Sequence, residues 1–327
     1  METKITDTYN RVHDYLRISL LERCNLRCTY CMPEEGISLR NKSEFMTQEE
    51  LFQITETFVK LGVKKIRLTG GEPLIKKNFA EILNHFSTLP IDLYITTNGI
   101  LLDKYWAELE NAAIKGINIS IDSLQKDRFN TISRRDYFEH VITNINTAIT
   151  KGLNIKLNVV LMKGVNDDEI IDFINFVRIR DITVRFIEFM PFDGNSWDRS
   201  KTVDFVDILN TAKNHFGELK QLSLEENYTA RNFQVPGHIG QFGIISSISN
   251  PFCESCNRIR LTADGKIKNC LFSNSETDLL TALRSNTELK PLILSSINKK
   301  SQSRAGLKSF DDEGFTFENR SMTTIGG

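Results

Sequence analysis

The sequence predicts an α/β fold in which repeated βα units build a parallel sheet, closed or partly closed into a barrel, with a smaller unit appended after it. Three observations carry that expectation. Short apolar runs alternate with amphipathic stretches from about residue 15 to residue 190, the pattern of parallel strands joined by crossover helices. Polar and glycine-rich segments recur at the carboxyl ends of those runs, where barrels collect their function. Beyond Pro191 the rhythm fades, so residues 1–195 are expected to form the barrel and 196–327 a C-terminal domain.

Composition narrows the class. With 327 residues, 40% hydrophobic content and a formal net charge of −1, the chain can bury a large core and lacks the excess of basic residues that marks a nucleic-acid binder. Six cysteines fall in two groups of three, too sparse for a disulfide scaffold and suited to metal ligation. No apolar signal-peptide core or membrane-length apolar run is present, and a reducing, cytoplasmic setting is expected.

The first strand, at residues 15–20, leads into Cys24, Cys28 and Cys31, spaced CxxxCxxC. Iron–sulfur clusters are held by thiolates gathered on such short loops. Three is one fewer than a structural zinc or a closed electron-carrying cluster takes, so one metal position is left for a substrate or cofactor. On spacing alone, buried or zinc-bound cysteines remain the alternative. A helix is expected to open at Thr47, with Glu50 completing a capping box before Leu51, Ile54 and Phe58. Further strands are expected at residues 65–68, 92–95, 117–121, 155–160 and 183–189. After the second comes Thr69-Gly70-Gly71-Glu72-Pro73, whose glycines let the backbone approach a ligand and present amides and carbonyls to it. Thr96-Thr97-Asn98-Gly99 follows the third, Ser120 and Asp122 close the fourth, and residues 188–191 close the sixth. Each alone reads as an ordinary turn or strand end; together they point to one functional rim.

Past the boundary, residues 203–216 read as an amphipathic helix and 230–235 and 243–248 as short strands. Cys253, Cys256 and Cys270 form a second set of three; His238 could in principle complete a zinc site with them, but it lies upstream without ligand-like spacing. If residues 257–261 form a strand, Arg258 and Arg260 share a face, offering two forked donors suited to phosphate oxygens. Solvated surface arginines are the plain alternative. Lys299, Lys300 and residues 301–304 read as an exposed loop, and the chain ends in Gly326-Gly327, for which fraying is the plain alternative.

The first cysteine spacing, with Tyr30 before the last thiol and Met32-Pro33 after it, resembles the cluster loop of the radical S-adenosylmethionine (AdoMet) enzymes. Together with the GGEP loop, RFIEFMPF, CESCNRIRLTADGKIKNCLF and the terminal Ile325-Gly326-Gly327, nearly the whole chain resembles the molybdenum cofactor biosynthesis protein A family, the GTP 3′,8-cyclases. The resemblance implies an incomplete (β/α)6 TIM-like radical SAM barrel, its open side covered by a smaller C-terminal α+β domain carrying a second 4Fe-4S cluster. Cys24, Cys28 and Cys31 would hold the first 4Fe-4S cluster, whose open iron is chelated by S-adenosyl-L-methionine, with Tyr30, Gly71, Ser120 and Met190 lining the AdoMet pocket. Cys253, Cys256 and Cys270 would hold the second, open to the guanine of GTP. The implied GTP contacts are Arg17, Arg67, Thr96, Lys156 and Arg258-Ile259-Arg260, with Arg185 a further catalytic candidate and Gly326 and Gly327 entering the site.

The same resemblance implies a lyase that cleaves AdoMet reductively, abstracts the C3′ hydrogen of GTP and joins that carbon to C8, the first step of molybdenum cofactor biosynthesis. A reductant and a downstream cyclic pyranopterin monophosphate synthase are implied partners, a homodimer is admissible, and neither nucleic acid nor membrane is expected. The rivals are a radical AdoMet peptide maturase and a non-catalytic iron–sulfur or zinc protein. Docking of the tail is left open, because Glu318, Asn319, Arg320 and Ser321 stand where the family is often basic. All of this requires both thiol triplets to face one chamber; Cys24 and Cys270 on opposite outer surfaces would end it.

Overall fold

The computed structural model describes residues 4–37, 40–224, 226–307, 310 and 319–326. Six parallel strands come first, β1 (Tyr15–Ser19), β2 (Lys65–Thr69), β3 (Asp92–Thr97), β4 (Gly116–Ser120), β5 (Ile155–Leu161) and β6 (Thr183–Glu188). They coincide with the expected runs to within about two residues, the usual uncertainty of an element's ends. Their period of two has a direct structural use. In β5 the residues Ile155, Leu157, Val159 and Leu161 are buried in the core, while Lys156, Asn158 and Val160 between them line a central cavity.

The remaining strands are β7 (Lys220–Gln221), β8 (Arg231–Gln234), β9 (Gln241–Ile245), β10 (Arg258–Leu261), β11 (Lys266–Lys268) and β12 (Thr277–Asp278). β9 pairs parallel with β6 and β10 pairs parallel with β1. The residues after 195 therefore prolong the same sheet at both ends, in the order β12-β11-β10-β1-β2-β3-β4-β5-β6-β9-β8-β7. The order begins and ends on unjoined strands among the described residues, so the barrel stays incomplete.

Helices cover the outer face of the sheet. Gln48–Lys60 begins at the expected cap, where Glu50 N donates to Thr47 Oγ1 (3.2 Å) and Thr47 N donates to Glu50 Oε2 (2.8 Å). Leu51, Ile54 and Phe58 are its buried stripe. Phe205–Phe216 is the helix expected over residues 203–216. Phe58, Phe79, Phe86, Phe173, Phe186 and Phe242 are fully buried between the layers, each stabilising the fold by roughly 1.5–3 kcal/mol. Among the described residues no helix is long and apolar enough to cross a membrane.

Candidate active site

The inward faces of the strands enclose a cavity of about 770 Å³, lined by all six cysteines. Strand direction explains the meeting. The first triplet follows the carboxyl end of β1, whereas Cys256 stands just before the amino end of β10, whose Arg258 lies opposite Tyr15 on β1. β11 runs back antiparallel to β10 and returns the chain to Cys270 at that same end. The two triplets thus occupy opposite ends of one strand pair and share one chamber.

Around the first triplet polar and acidic side chains face the thiols, and one cation, Arg27, donates to the Cys24 carbonyl (2.6 Å). Asn98 Nδ2 reaches Cys24 Sγ (3.7 Å) and Asn25 Oδ1 (2.7 Å). Asn98 is held in turn by buried Glu72, whose carboxylate accepts from Asn98 N (2.7 Å), Thr97 Oγ1 (2.8 Å) and Leu74 N (3.0 Å). Tyr30 donates to Asp122 (2.8 Å), which also accepts from Val160 N (2.9 Å). Burial, with Glu72 nearby, pushes the Cys24 thiol up to about 11. Burial, Cys24 and Asp122 push Cys31 up to about 12, and burial and Asp122 carry Cys28 well above the ordinary thiol range. Thiols so placed lose their protons readily only to a bound metal cation.

At the second triplet cations stand beside the thiols, although burial still raises Cys270. Burial would raise Cys256, yet Arg258 and Lys300 bring it down to about 6. Lys300, expected on an exposed loop, is buried (4% exposed) against this site, while Lys299 and Gln302 are exposed as expected; the expectation is corrected for Lys300 alone, whose side chain turns in to Cys256. Asn257 Oδ1 is buried and without a hydrogen-bond partner at the cavity wall. His238 is not among the lining residues; its ring meets Phe216 edge-on at 5.5 Å. Among the described residues no three His, Cys, Asp or Glu side chains are spaced to close on a single metal ion.

Between the triplets lies a cationic band. Arg260, Arg17 and Arg67 stand in register on β10, β1 and β2, and all three line the cavity. Arg67 Nε donates to Tyr15 Oη (2.6 Å), and its Nη1 donates to the Ile95 carbonyl (2.8 Å). Burial would raise the Tyr15 phenol, but Arg67 and Arg17 bring it down to about 7. Burial and then Arg17 lower Arg260 to about 9. Like charges set side by side on adjacent strands are relieved by an anionic ligand. Arg185 donates twice to Asn158 Oδ1 (3.1 and 2.8 Å), and Arg258 donates to Thr229 Oγ1 (2.6 Å).

Of the residues singled out in the sequence, Tyr30, Gly71, Ser120, Met190, Arg17, Arg67, Thr96, Lys156, Arg185, Arg258 and Arg260 all line this cavity. Ile259 points the other way, into the core, as alternation on β10 requires. Gly71 is demanded chiefly by the cysteine loop, since a Cβ there would lie 2.2 Å from the Arg23 carbonyl oxygen. Its amide donates to Leu21 O (2.8 Å) and that of Glu72 to Arg23 O (2.8 Å), so these two N–H groups brace the loop instead of facing a ligand.

Gly326, at φ +81°, sits over the ends of β1 and β2, where a Cβ would meet Thr69 Oγ1 at 2.5 Å. Its carbonyl accepts from Arg260 Nη1. Gly327 lies outside the described residues. The tail is docked by Arg320, paired with Glu22 (3.0 Å), Asp264 (3.0 Å) and Glu276 (3.1 Å), and it brings Met322 and Thr323 to the cavity. Sequence reasoning passed over Tyr15, although its place two residues before Arg17 on a strand puts both on one face. It also passed over Lys300, for which no local signal exists.

The radical SAM superfamily model matches residues 18–177 and the Molybdenum Cofactor Synthesis C model residues 182–305. A protein of Alkaliphilus oremlandii named GTP 3′,8-cyclase is 42% identical over 98% of this chain and 99% of its own length. Molybdenum cofactor biosynthesis protein 1 of Drosophila melanogaster is 44% identical over 92% of this chain, which spans only 54% of that protein. The chain likewise spans 51% of the bovine and human proteins of the same name. Among solved structures, Streptococcus suis SuiB bound to S-adenosylmethionine matches with a TM-score of 0.62 at 15% identity, over 90% of this chain and 70% of that one, a likeness of fold. Cavity, cysteine spacing and relatives agree: the chain belongs to the radical SAM family that comprises the GTP 3′,8-cyclases and molybdenum cofactor biosynthesis protein 1.

Proposed function

We propose that this chain is itself a GTP 3′,8-cyclase, using two 4Fe-4S clusters and AdoMet to cyclise GTP at the start of molybdenum cofactor biosynthesis. The observation that carries the reading is the shared chamber, with three thiols at each end and a band of arginines between them. In this reading Cys24, Cys28 and Cys31 hold the cluster that binds AdoMet, and Cys253, Cys256 and Cys270 hold the second. The first cluster with AdoMet would supply one-electron reductive cleavage and hydrogen-atom abstraction, chemistry that belongs to the cofactor.

The chain's own residues position and enclose. Tyr30, fixed by its bond to Asp122 (2.8 Å), and Gly71, Ser120 and Met190 form the AdoMet side. Arg17, Arg67, Lys156, Arg185, Arg258 and Arg260 neutralise a triphosphate and orient the nucleotide. Thr96 contributes from β3, and Ile259 supports its neighbours from the core side. The chamber wall, closed in part by the tail that ends in Gly326 and Gly327, keeps water from a reactive intermediate. In this reading residues 1–195 are the barrel, with the AdoMet cluster and part of the nucleotide site, and 196–327 the C-terminal domain that adds the second cluster, Arg258 and Arg260 and the Gly-Gly tail. A reductant, a downstream cyclic pyranopterin monophosphate synthase, a reducing cytoplasmic setting and homodimer formation complete the proposal. A cavity lined with arginines suits a polyanion better than a neutral peptide.

Anaerobic incubation of the reconstituted chain with GTP, AdoMet and dithionite tests the reading by mass analysis. The expected products are 5′-deoxyadenosine and an isomer of GTP, both lost in Cys24→Ser. Zinc in place of iron, or a reduced-cluster EPR spectrum that AdoMet leaves unchanged, would overturn it.

A further inference from the structure

Lys300 follows the helix Leu289–Asn298 and is buried, 4% exposed. Its ammonium donates to the Arg258 carbonyl (2.9 Å) and to Cys256 Sγ (3.5 Å). No carboxylate among the described residues pairs with it. A buried ammonium is strongly unfavourable unless a counter-charge compensates it, and the nearest group able to supply one is the Cys256 thiolate.

The neighbouring chain holds this contact in place. The Arg11 guanidinium donates to the carbonyls of Cys253 (2.8 Å), Gln302 (2.7 Å) and Ser301 (2.9 Å), lashing the second cysteine turn to the residues just after Lys300. Asp7 fixes Arg11 through Nε (2.6 Å) and also bonds His13 (3.0 Å). At the first triplet the cation present, Arg27, donates to the Cys24 carbonyl (2.6 Å), and the side chain that reaches the Cys24 sulfur is Asn98, with Glu72 and Asp122 nearby.

We propose that Lys300 is a positioning residue for the second centre, whose ammonium hydrogen-bonds Cys256 and raises the reduction potential of an iron–sulfur cluster held by Cys253, Cys256 and Cys270. The inference rests on reading that triplet as a cluster site. Its physical basis is that an electron added by the reductant makes the cluster more negative, and a fixed cation at a ligating sulfur stabilises that state. Hydrogen bonds to the sulfurs and local charge are among the factors that set such potentials.

The test is EPR-monitored redox titration of reconstituted wild type, Lys300→Met and Lys300→Arg, with iron and sulfide counted in each. In Lys300→Met the reduction equilibrium of the second centre is expected to fall at least about tenfold, about 59 mV for a one-electron couple. The AdoMet-responsive centre should not move, and Lys300→Arg should recover most of the shift. An unchanged midpoint in a fully loaded Lys300→Met protein overturns the proposal. If Lys300→Met loses the second cluster while Lys300→Arg keeps it, the role of the cation stands; if both lose it equally, the positive charge is not the cause and the proposal falls. The underlying reading fails separately, when wild type and a Cys253→Ala, Cys256→Ala, Cys270→Ala protein carry the same iron.

Discussion

Replacing Arg320 by methionine isolates the docking of the tail. The guanidinium faces Glu22, Asp264 and Glu276 at 3.0, 3.0 and 3.1 Å, and the first two side chains are 4% and 3% exposed. Removing one partner of a fully buried ion pair costs about 3–5 kcal/mol. Two facts reduce that figure here. Arg320 is itself 23% exposed, and Arg40 still reaches Glu22 (3.1 Å) and Asp264 (3.3 Å). A local loss of about 1–2 kcal/mol remains, which is roughly a 5- to 30-fold rise in the undocked tail population. Hydrogen exchange followed by mass spectrometry should show that acceleration at the amides of Thr324 and Gly326, which are hydrogen-bonded within the docked turn. Strand β4, remote from the tail, should keep its protection. The double variant Glu22→Gln, Arg320→Met should recover part of the loss, because one orphaned carboxylate is removed with its partner. Unchanged exchange at the tail, or equal acceleration throughout the protein, would refute the reasoning.

Two further outcomes follow from the geometry. Gly71→Ala places a Cβ 2.2 Å from the Arg23 carbonyl oxygen, and the cysteine loop must move, at about 3 kcal/mol or more; iron bound by the first triplet should drop while the second keeps its metal. His13 is buried, and burial with Lys300 nearby lowers it to about 4 from an ordinary 6.5. Its neutral form therefore favours the folded state fully above pH 6.5, and that contribution is lost as pH falls through 4, on the order of 3 kcal/mol. His13→Gln should flatten urea-unfolding stability across that window in the metal-free protein, and an unchanged pH profile would count against it.

Much of the site was legible because strand periodicity is local. Arg258 and Arg260 share a face by alternation alone, and the same rule turns Ile259 into the core. Gly71 was legible as a glycine but not for its principal reason, since the atom it avoids belongs to the cysteine loop. Lys300 was misread because a run of lysine, serine and glutamine has the composition of a solvated loop. Only the packing of Arg11 and the second cysteine turn against that run draws its ammonium inside.

By itself the sequence determined the alternation of strand and helix, the two sets of three thiols and the phosphate-suited arginines, all of which are patterns within about twenty residues of chain. Only the tertiary structure decided that β10 lies beside β1, and with it that distant triplets share a chamber and that Arg260, Arg17 and Arg67 form one row. The physical reason is that strand pairing is chosen by backbone hydrogen bonds and burial between segments far apart in the chain. No local pattern in either strand names its partner.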